Sequence, residues 1–155
     1  MLKNFLAIMI MAIFFSGCAK SGDGFKCLYE PCEYVAPASE IAAVQGYLTA
    51  NSITATQHCS GLFYTISEPG TGQSPTACHA VNVTYEGRLT NGNVFDANTI
   101  SINLSQVIAG WANGVPLIKQ GGKIRLFIPP SLGYGPTAQP GIPANSILIF
   151  DVELH

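Results

Sequence analysis

Residues 81–89 read VNVTYEGRL, and this stretch decides what kind of fold the chain can form. Apolar side chains at Val81, Val83 and Tyr85 alternate with polar ones, which is typical of a strand with one face in a core and the other in water. The same period of two recurs in the stretches that begin at Leu62, Ile100, Ile124 and Leu148. The pattern predicts five or six antiparallel strands in one sheet.

A sheet with one apolar face needs a cover. The stretch 106–118 is interrupted by glycine and proline, so only a short helix fits there, beginning near Val107 to Trp111. Residues 131–145 are rich in proline and glycine and predict a long loop. We therefore expect an α+β fold in which an antiparallel half-barrel sheet wraps around one short helix.

A second short helix is predicted before the sheet. Ser39 is a suitable N-cap, Ile41, Val44 and Leu48 recur at helical spacing, and Asn51 is a suitable end. We divide the chain into a signal peptide (1–17), a tether with a small cysteine loop (18–36), a helical appendage (37–60) and the main domain (61–155).

The composition excludes several classes of protein. Only 10% of the 155 residues are charged, the formal net charge is -2, and no basic cluster is present to neutralise phosphates, so nucleic-acid binding is not expected. The GxSxG and Walker motifs and the paired-carboxylate spacing of hydrolases are missing as well. We expect no cofactor and no metal.

The N-terminal stretch indicates export. Lys3 is followed by an apolar run from Phe5 to Phe15, and this run is too short to span a bilayer. The following Ser-Gly-Cys resembles a bacterial lipoprotein signal that is cleaved before Cys18, whose thiol is then acylated. An ordinary signal peptide and a buried apolar N-terminus are the alternatives. The expected location is the bacterial cell envelope, lipid-anchored, facing the periplasm or in the outer membrane.

Four further cysteines form an even set, which favours disulfides in an oxidising compartment: Cys27, Cys32, Cys59 and Cys78. Four cysteines allow three pairings, of which we favour Cys27–Cys32 with Cys59–Cys78. A zinc site that adds His58 or His79 to two of the cysteines is the competing interpretation. It is the poorer one, because no CxxC spacing is present.

Three large apolar residues fall on the nominally wet face of the sheet: Phe127, Ile147 and Ile149. Such a patch needs a cover or an interface. We expect the 41–48 helix to pack there and the protein to be a monomer. Dimerisation through this face is the alternative.

Five sequence segments follow one another along the chain, and each contains one aromatic residue of interest: VNVTYEGRL (Tyr85), NVFDA (Phe95), SQVIAGW (Trp111), IPPSLGYG (Tyr134) and IPANSILIFDVEL (Phe150). Their order and spacing, from about Gly61 to Leu154, resemble the FKBP-type peptidyl-prolyl cis-trans isomerases. The resemblance implies rotation about X-Pro bonds of exported proteins in an apolar pocket. A binding module without turnover, or a structural envelope lipoprotein, is the alternative.

The resemblance also implies the role of each residue. Trp111 forms the pocket floor, and Tyr85, Phe95 and Phe150 form its walls. Val107 and Ile108 provide apolar contacts, with a backbone N–H donor at Ile108, while Ile142 lines the rim. The Tyr134 hydroxyl donates to a substrate carbonyl, and Asp96 lies beside the reacting carbonyl. A carboxylate directly after a buried aromatic residue needs such a reason.

The sequence departs from the family at the rim of the pocket. The flap between Asp96 and Ile102 is short and lacks the usual arginine and phenylalanine, so Ile100 or Ile102 is the nearest substitute. Gln139 stands where a histidine is frequent. We therefore expect weaker binding of macrolide inhibitors than in short cytosolic relatives.

Overall fold

The computed structural model describes residues 27–155, so the predicted signal peptide and Cys18 lie outside the described residues. In chain order, the helices and strands are α1 (Ala38–Ala50), β1 (Thr56–Gln57), β2 (Phe63–Glu68), β3 (Ala80–Leu89), β4 (Val94–Asn103), α2 (Ala109–Gly114), β5 (Lys123–Ile128) and β6 (Leu148–Leu154). None of the helices between residues 27 and 155 has the length and apolar character that crossing a bilayer requires.

All six strands form one antiparallel sheet in the order β1-β2-β5-β6-β3-β4. The predicted α+β sheet with one short covering helix is confirmed. Its inner face and α2 enclose the main core, in which Val83, Leu126 and Leu148 are fully buried. The helix lies close to the sheet because Gly110 has no side chain: a Cβ there would be 2.5 Å from Cγ2 of Ile128.

Part of the outer face of the sheet is covered by α1. Val44 and Leu48 from the helix and Phe63, Phe127 and Ile149 from the sheet form a second buried cluster, against which Ile147 also packs. The predicted cover over the outer apolar patch is confirmed. Burial of a large side chain contributes about 1.5–3 kcal/mol, so the cluster attaches the helix firmly to the sheet.

The start of α1 differs from the prediction. Pro37, not Ser39, is the N-cap, and no side chain caps the helix. The helix begins at Ala38, so Ser39 falls inside its first turn. The Glu40 carboxylate accepts the backbone N–H of Ser131 at 2.8 Å, which links the helix to the loop after β5. The C-cap at Asn51 is as predicted.

The predicted cysteine pairing is wrong. The structure joins Cys27 to Cys78 and Cys32 to Cys59, each pair with 5.6 Å between its Cα atoms. The two cysteines of the predicted small loop instead join it to two other parts of the chain, Cys78 before β3 and Cys59 between β1 and β2. The group Cys32, His58 and Cys59 comes within metal-binding reach, but both sulfurs are already joined in the disulfide.

The N-terminal segment from Cys27 onward is attached to the domain, whereas the sequence suggested a tether as far as residue 36. The hydroxyl of Tyr29 donates to Oδ1 of Asn113 at 2.9 Å. The N–H of Ala36 donates to the carbonyl of Ser60 at 2.9 Å. Two disulfides and these two hydrogen bonds hold the stretch from Cys27 to Ala36 against the rest of the domain.

Candidate active site

A cavity of about 440 Å³ opens between the inner face of β3, β4 and β6, the start of α2 and the loop after β5. This volume is in the usual range for a small-ligand site. The cavity is lined by all nine residues that the sequence analysis assigned to the site: Tyr85, Phe95, Asp96, Val107, Ile108, Trp111, Tyr134, Ile142 and Phe150. Residues from five separate parts of the chain are thus brought together in one place.

Four aromatic rings pack edge to face around the cavity. The ring centroid of Phe150 lies 5.3 Å from that of Trp111 and 5.5 Å from that of Phe95, and Tyr85 lies 5.1 Å from Trp111. The interplanar angles of these three pairs are 84–87°. Such pairs contribute about 0.5–1.5 kcal/mol each beyond their buried area, so the rings form a rigid wall.

The strand register explains why Phe95 and Phe150 meet. Gly87 on β3 pairs with Phe150 on β6 and with Asp96 on β4. A shift in the ladder between Gly87 and Arg88 leaves Phe95 without a partner opposite it. Because Gly87 has no side chain, both rings fit over its backbone: a Cβ there would be only 2.6 Å from Phe95 and 2.7 Å from Phe150.

The polar end of the cavity is formed by Tyr85 and Asp96. The Tyr85 hydroxyl donates to Oδ2 of Asp96 at 2.5 Å. Burial, the hydrogen bond to Asp96 and the carboxylate charge together raise the pKa of Tyr85 to about 12. The tyrosine therefore remains a neutral donor at all physiological pH values and holds the carboxylate in place.

The burial expected around Asp96 was wrong. The Asp96 side chain is exposed and Phe95 is half-buried, because β4 is the outermost strand of the sheet on this side. The carboxylate therefore retains contact with water, and its position is explained by the hydrogen bond from Tyr85 alone.

Two further hydrogen-bonding groups of the cavity remain available. Ile108 is the N-cap of α2, and its carbonyl accepts the N–H groups of Trp111 and Ala112 at 3.0 and 3.3 Å. Within residues 27–155, the N–H of Ile108 and the hydroxyl of Tyr134 have no hydrogen-bond partner. An apolar cavity with free donors and a carboxylate is suited to bind a peptide group without a nucleophile or a metal.

Comparison with known proteins agrees with this geometry. The family model of the FKBP-type peptidyl-prolyl cis-trans isomerase matches residues 72–155, which is more than half of the chain. The chain belongs to the FKBP-type peptidyl-prolyl cis-trans isomerase family.

Among curated relatives, the FKBP-type peptidyl-prolyl cis-trans isomerase FkpA of Escherichia coli K12 is 47% identical over 100 residues, covering 61% of this chain and 37% of that protein. FkpA of Aeromonas hydrophila is 42% identical over 117 residues, covering 70% of this chain and 43% of that protein. The chain thus spans less than half the length of these curated relatives.

Solved structures of the family are similar as well. The crystal structure of FkpA from Escherichia coli superimposes with a TM-score of 0.68 and 40% identity, covering 76% of this chain and 58% of that one. The peptidyl-prolyl cis-trans isomerase from Pseudomonas syringae superimposes with a TM-score of 0.66 and 30% identity, covering 77% and 94%.

The rim of the FKBP-type cavity differs from the prediction of a short flap. β4 runs without a break from Val94 to Asn103, and Ile100 pairs with Val83 in the middle of the ladder. The strand that the sequence indicated from Ile100 thus begins earlier, and the short segment between Asp96 and Ile102 belongs to it because its residues pair with β3. The side chains of Ile100 and Ile102 line the cavity from this strand.

Gln106 and Pro140 also line the cavity, although no sequence pattern indicated a site role for them. Gln139 lines it too and is bridged to Ile142 by two backbone hydrogen bonds of 2.9 Å, so this part of the loop is held against the site. The only sequence signal for these two residues is adjacency: Gln106 directly precedes Val107, and Pro140 directly follows Gln139.

A larger groove of about 740 Å³ lies on the outer face of the sheet. Its charged side chains bind one another: Arg125 donates to Asp151 at 2.5 and 3.0 Å, and Lys123 donates to Glu68 at 3.0 Å. Because these charges are already paired, the smaller cavity with its four aromatic rings is the better candidate site.

Proposed function

We propose that this protein is a peptidyl-prolyl cis-trans isomerase that accelerates X-Pro bond rotation in exported proteins and so assists their folding. The observation that carries the proposal is the aromatic cavity around Trp111 and Phe150 with the Tyr85–Asp96 pair at its edge. Membership of the FKBP-type family supports the same conclusion.

The reaction requires stabilisation of a twisted amide. Rotation about a peptide bond costs about 18–20 kcal/mol because resonance gives the C–N bond double-bond character. The planar amide is more polar than the twisted one, in which the nitrogen lone pair has left conjugation. A dry apolar cavity therefore disfavours the planar form more. A thousandfold acceleration needs about 4 kcal/mol, which desolvation and oriented hydrogen bonds can supply.

We assign the proline ring to the aromatic part of the cavity. In this assignment Trp111 is the floor, Tyr85, Phe95 and Phe150 are the walls, and Val107 contributes apolar contact at the start of α2. Ile142 closes the far side, where it is buried next to the loop bridge. The rings hold one another edge to face, so they grip the proline without first having to order themselves.

The polar groups receive the peptide on either side of the ring. The free N–H of Ile108 and the hydroxyl of Tyr134 donate to substrate carbonyls. Asp96, held by Tyr85, lies beside the carbonyl of the rotating bond. There the carboxylate interacts unfavourably with the carbonyl dipole of the planar amide, and the repulsion weakens as the bond twists.

The decisive experiment is a cis/trans assay on a proline tetrapeptide. The wild-type protein should accelerate isomerisation, and Asp96→Ala should reduce kcat/KM about tenfold or more; its exposed position predicts little change in melting temperature. Tyr34→Ala, which removes an exposed aromatic residue, is the control. A wild-type protein that binds proline peptides without turnover would replace this proposal by that of a binding module.

We also propose an envelope location with the lipid anchor at Cys18. Two disulfides in the described residues support an oxidising compartment, as does the apolar run that precedes Cys18. In this view residues 1–17 are removed, and the anchored domain works on proline-containing segments of exported chains. Mass spectrometry of the mature protein from bacterial membranes tests it: an unacylated N-terminus would exclude the anchor.

We propose two further properties, which concern macrolide binding at the rim of the cavity and the oligomeric state. Weak macrolide binding is supported by the aliphatic rim at Ile100 and by Gln139 in the loop. A monomeric state is supported by α1, which buries Phe127 and Ile149 and so removes the apolar face on which a dimer could form. Undiminished macrolide affinity in a titration, or a dimer in sedimentation at micromolar concentration, would contradict them.

A further inference from the structure

The free edge of β4 is the feature that the proposed function leaves unused. Within residues 27–155, β4 pairs with β3 on one side and with no strand on the other. It is ten residues long and mostly exposed. Proteins usually block so long an edge, because its unpaired N–H and C=O groups are a template for another extended chain.

The ladder identifies which backbone groups face outward. The carbonyl of Asn82 accepts the N–H of His155 at 2.9 Å, on the β6 side of β3. Backbone groups alternate along an antiparallel strand, so Thr84 also bonds toward β6 and not toward β4. Thr99 is the residue of β4 opposite Thr84, and it therefore makes no backbone hydrogen bond to β3. The same holds for Ser101, which lies opposite Asn82.

Two side-chain contacts agree with this assignment. The hydroxyls of Thr84 and Thr99 lie 2.9 Å apart, which fits the closely spaced, non-hydrogen-bonded type of cross-strand pair. The N–H of Thr99 donates at 2.8 Å to Oδ1 of Asn98, its own neighbour, instead of to β3. The N–H and C=O groups of Ala97, Thr99 and Ser101 therefore point to the open edge.

The open edge is continuous with the candidate active site. Ile100 and Ile102 alternate with the outward-bonding residues, and their side chains line the aromatic cavity. Asp96, at the beginning of the same run, is bound to Tyr85 in that cavity. A chain that lay along this edge would therefore run directly beside the place where its proline binds.

We propose that residues 97–101 form a β-augmentation subsite for the extended client segment next to the bound proline. The client adds a seventh strand to the sheet through its backbone groups. Backbone recognition does not depend on side chains, so it suits a folding helper with many clients. Asn98 controls access to this subsite. The hydrogen bond from the Thr99 N–H to the Asn98 side-chain oxygen must break before that N–H can donate to a client carbonyl. The inference rests on the proposed function.

Peptides of different length test the subsite. A proline tetrapeptide is compared with peptides extended by four residues on either side, by dissociation constant and by kcat/KM. One of the two extensions should tighten binding at least fivefold. Single N-methyl groups along that extension should weaken binding about fivefold at every second residue and leave the residues between unaffected.

Variants of the edge complete the test. Ser101→Pro removes an outward N–H without breaking the ladder to β3, and Ser101→Ala retains that N–H as its matched control. The proline variant should lose about fivefold in affinity for the long peptide and nothing for the tetrapeptide. Asn98→Ala should bind the long peptide more tightly, because the Thr99 N–H is then free.

The outcomes separate this inference from the proposed function. Suppose that the tetrapeptide is isomerised but neither extension tightens binding, or that the N-methyl series shows no alternation. Either result would overturn the edge subsite, while the isomerase function would be retained. A protein without turnover would overturn the isomerase, while the dissociation constants of the long peptides would still decide the subsite. The N-methyl series uses the wild-type protein, so it decides the question even if Ser101→Pro fails to fold.

Discussion

Replacing Gly87 by alanine should disturb the cavity wall with the smallest possible side chain. The added Cβ would lie 2.6 Å from Cε2 and Cζ of Phe95 and 2.7 Å from Cε1 of Phe150. Ordinary carbon–carbon contacts are about 3.5–4.0 Å, so both rings would have to move by about 1 Å. Phe150 is buried and packed against Trp111, so it has little room to move.

The size of the effect follows from this overlap. Overpacking a well-packed site typically costs about 1–3 kcal/mol. For a chain of this length that corresponds to a fall of roughly 2–12 °C in melting temperature. Because a 1 Å misplacement of groups that position a substrate can reduce a rate by about a hundredfold, kcat/KM on a proline tetrapeptide should fall between about ten- and a hundredfold.

Two further variants make the Gly87 test sharp. Gly46→Ala in α1 is the control, since nothing lies within 4 Å of the added Cβ. It should stabilise the protein by up to about 1 kcal/mol and leave activity unchanged. Adding Phe95→Ala to Gly87→Ala should cost less stability than the sum of the single changes, because the removed ring makes room for the Cβ. A Gly87→Ala variant with the melting temperature and activity of the wild type would show that the two rings can move aside without cost.

Three other predictions concern pH, the α1 cover and the disulfides. Because the pKa of folded Tyr85 is raised to about 12 from 10.0, its contribution to stability is fully present below pH 10 and declines up to pH 12. In an ultraviolet titration, Tyr85→Phe should remove a phenolate signal that appears near pH 12, and persistence of that signal would contradict its assignment to Tyr85. Phe127→Ala should cost about 3–5 kcal/mol in denaturant unfolding while the folded variant keeps its kcat/KM, since the ring lies under α1 and outside the cavity. Cys32→Ser should cost about 2–4 kcal/mol and leave Cys59 reactive toward thiol reagents, whereas a reactive Cys27 would support the pairing that the structure excludes.

The site could be predicted from the sequence to the extent that its residues belong to strongly patterned segments. Tyr85 and Phe150 lie at inward positions of clear alternation, so their side of the sheet followed from the period of two alone. The roles given to Phe95 and Tyr134 depended on the family resemblance, because neither belongs to a regular pattern that indicates where the ring points. All four reach the same cavity in the structure.

The errors have a common physical cause, which is position within the sheet. Asp96 was expected beside a buried aromatic residue, but strand order puts β4 at the edge, where its side chain meets water. The segment after Asp96 was expected to be a short flap before the strand at Ile100, yet its pairing with β3 makes that strand begin earlier, at Val94. Local pattern carries no information about which strand is outermost.

The inward and outward faces of the strands, the helix α1 and the apolar patch at Phe127 could be read from the sequence, because each follows from a short-range period of apolar residues. Only the tertiary structure decided the neighbours of the cysteines, the meeting of Phe95 and Phe150 over Gly87, and the open edge of β4 beside the cavity. These depend on strand order and register, which are contacts between residues far apart in the chain. The chemistry of the site arises from those contacts.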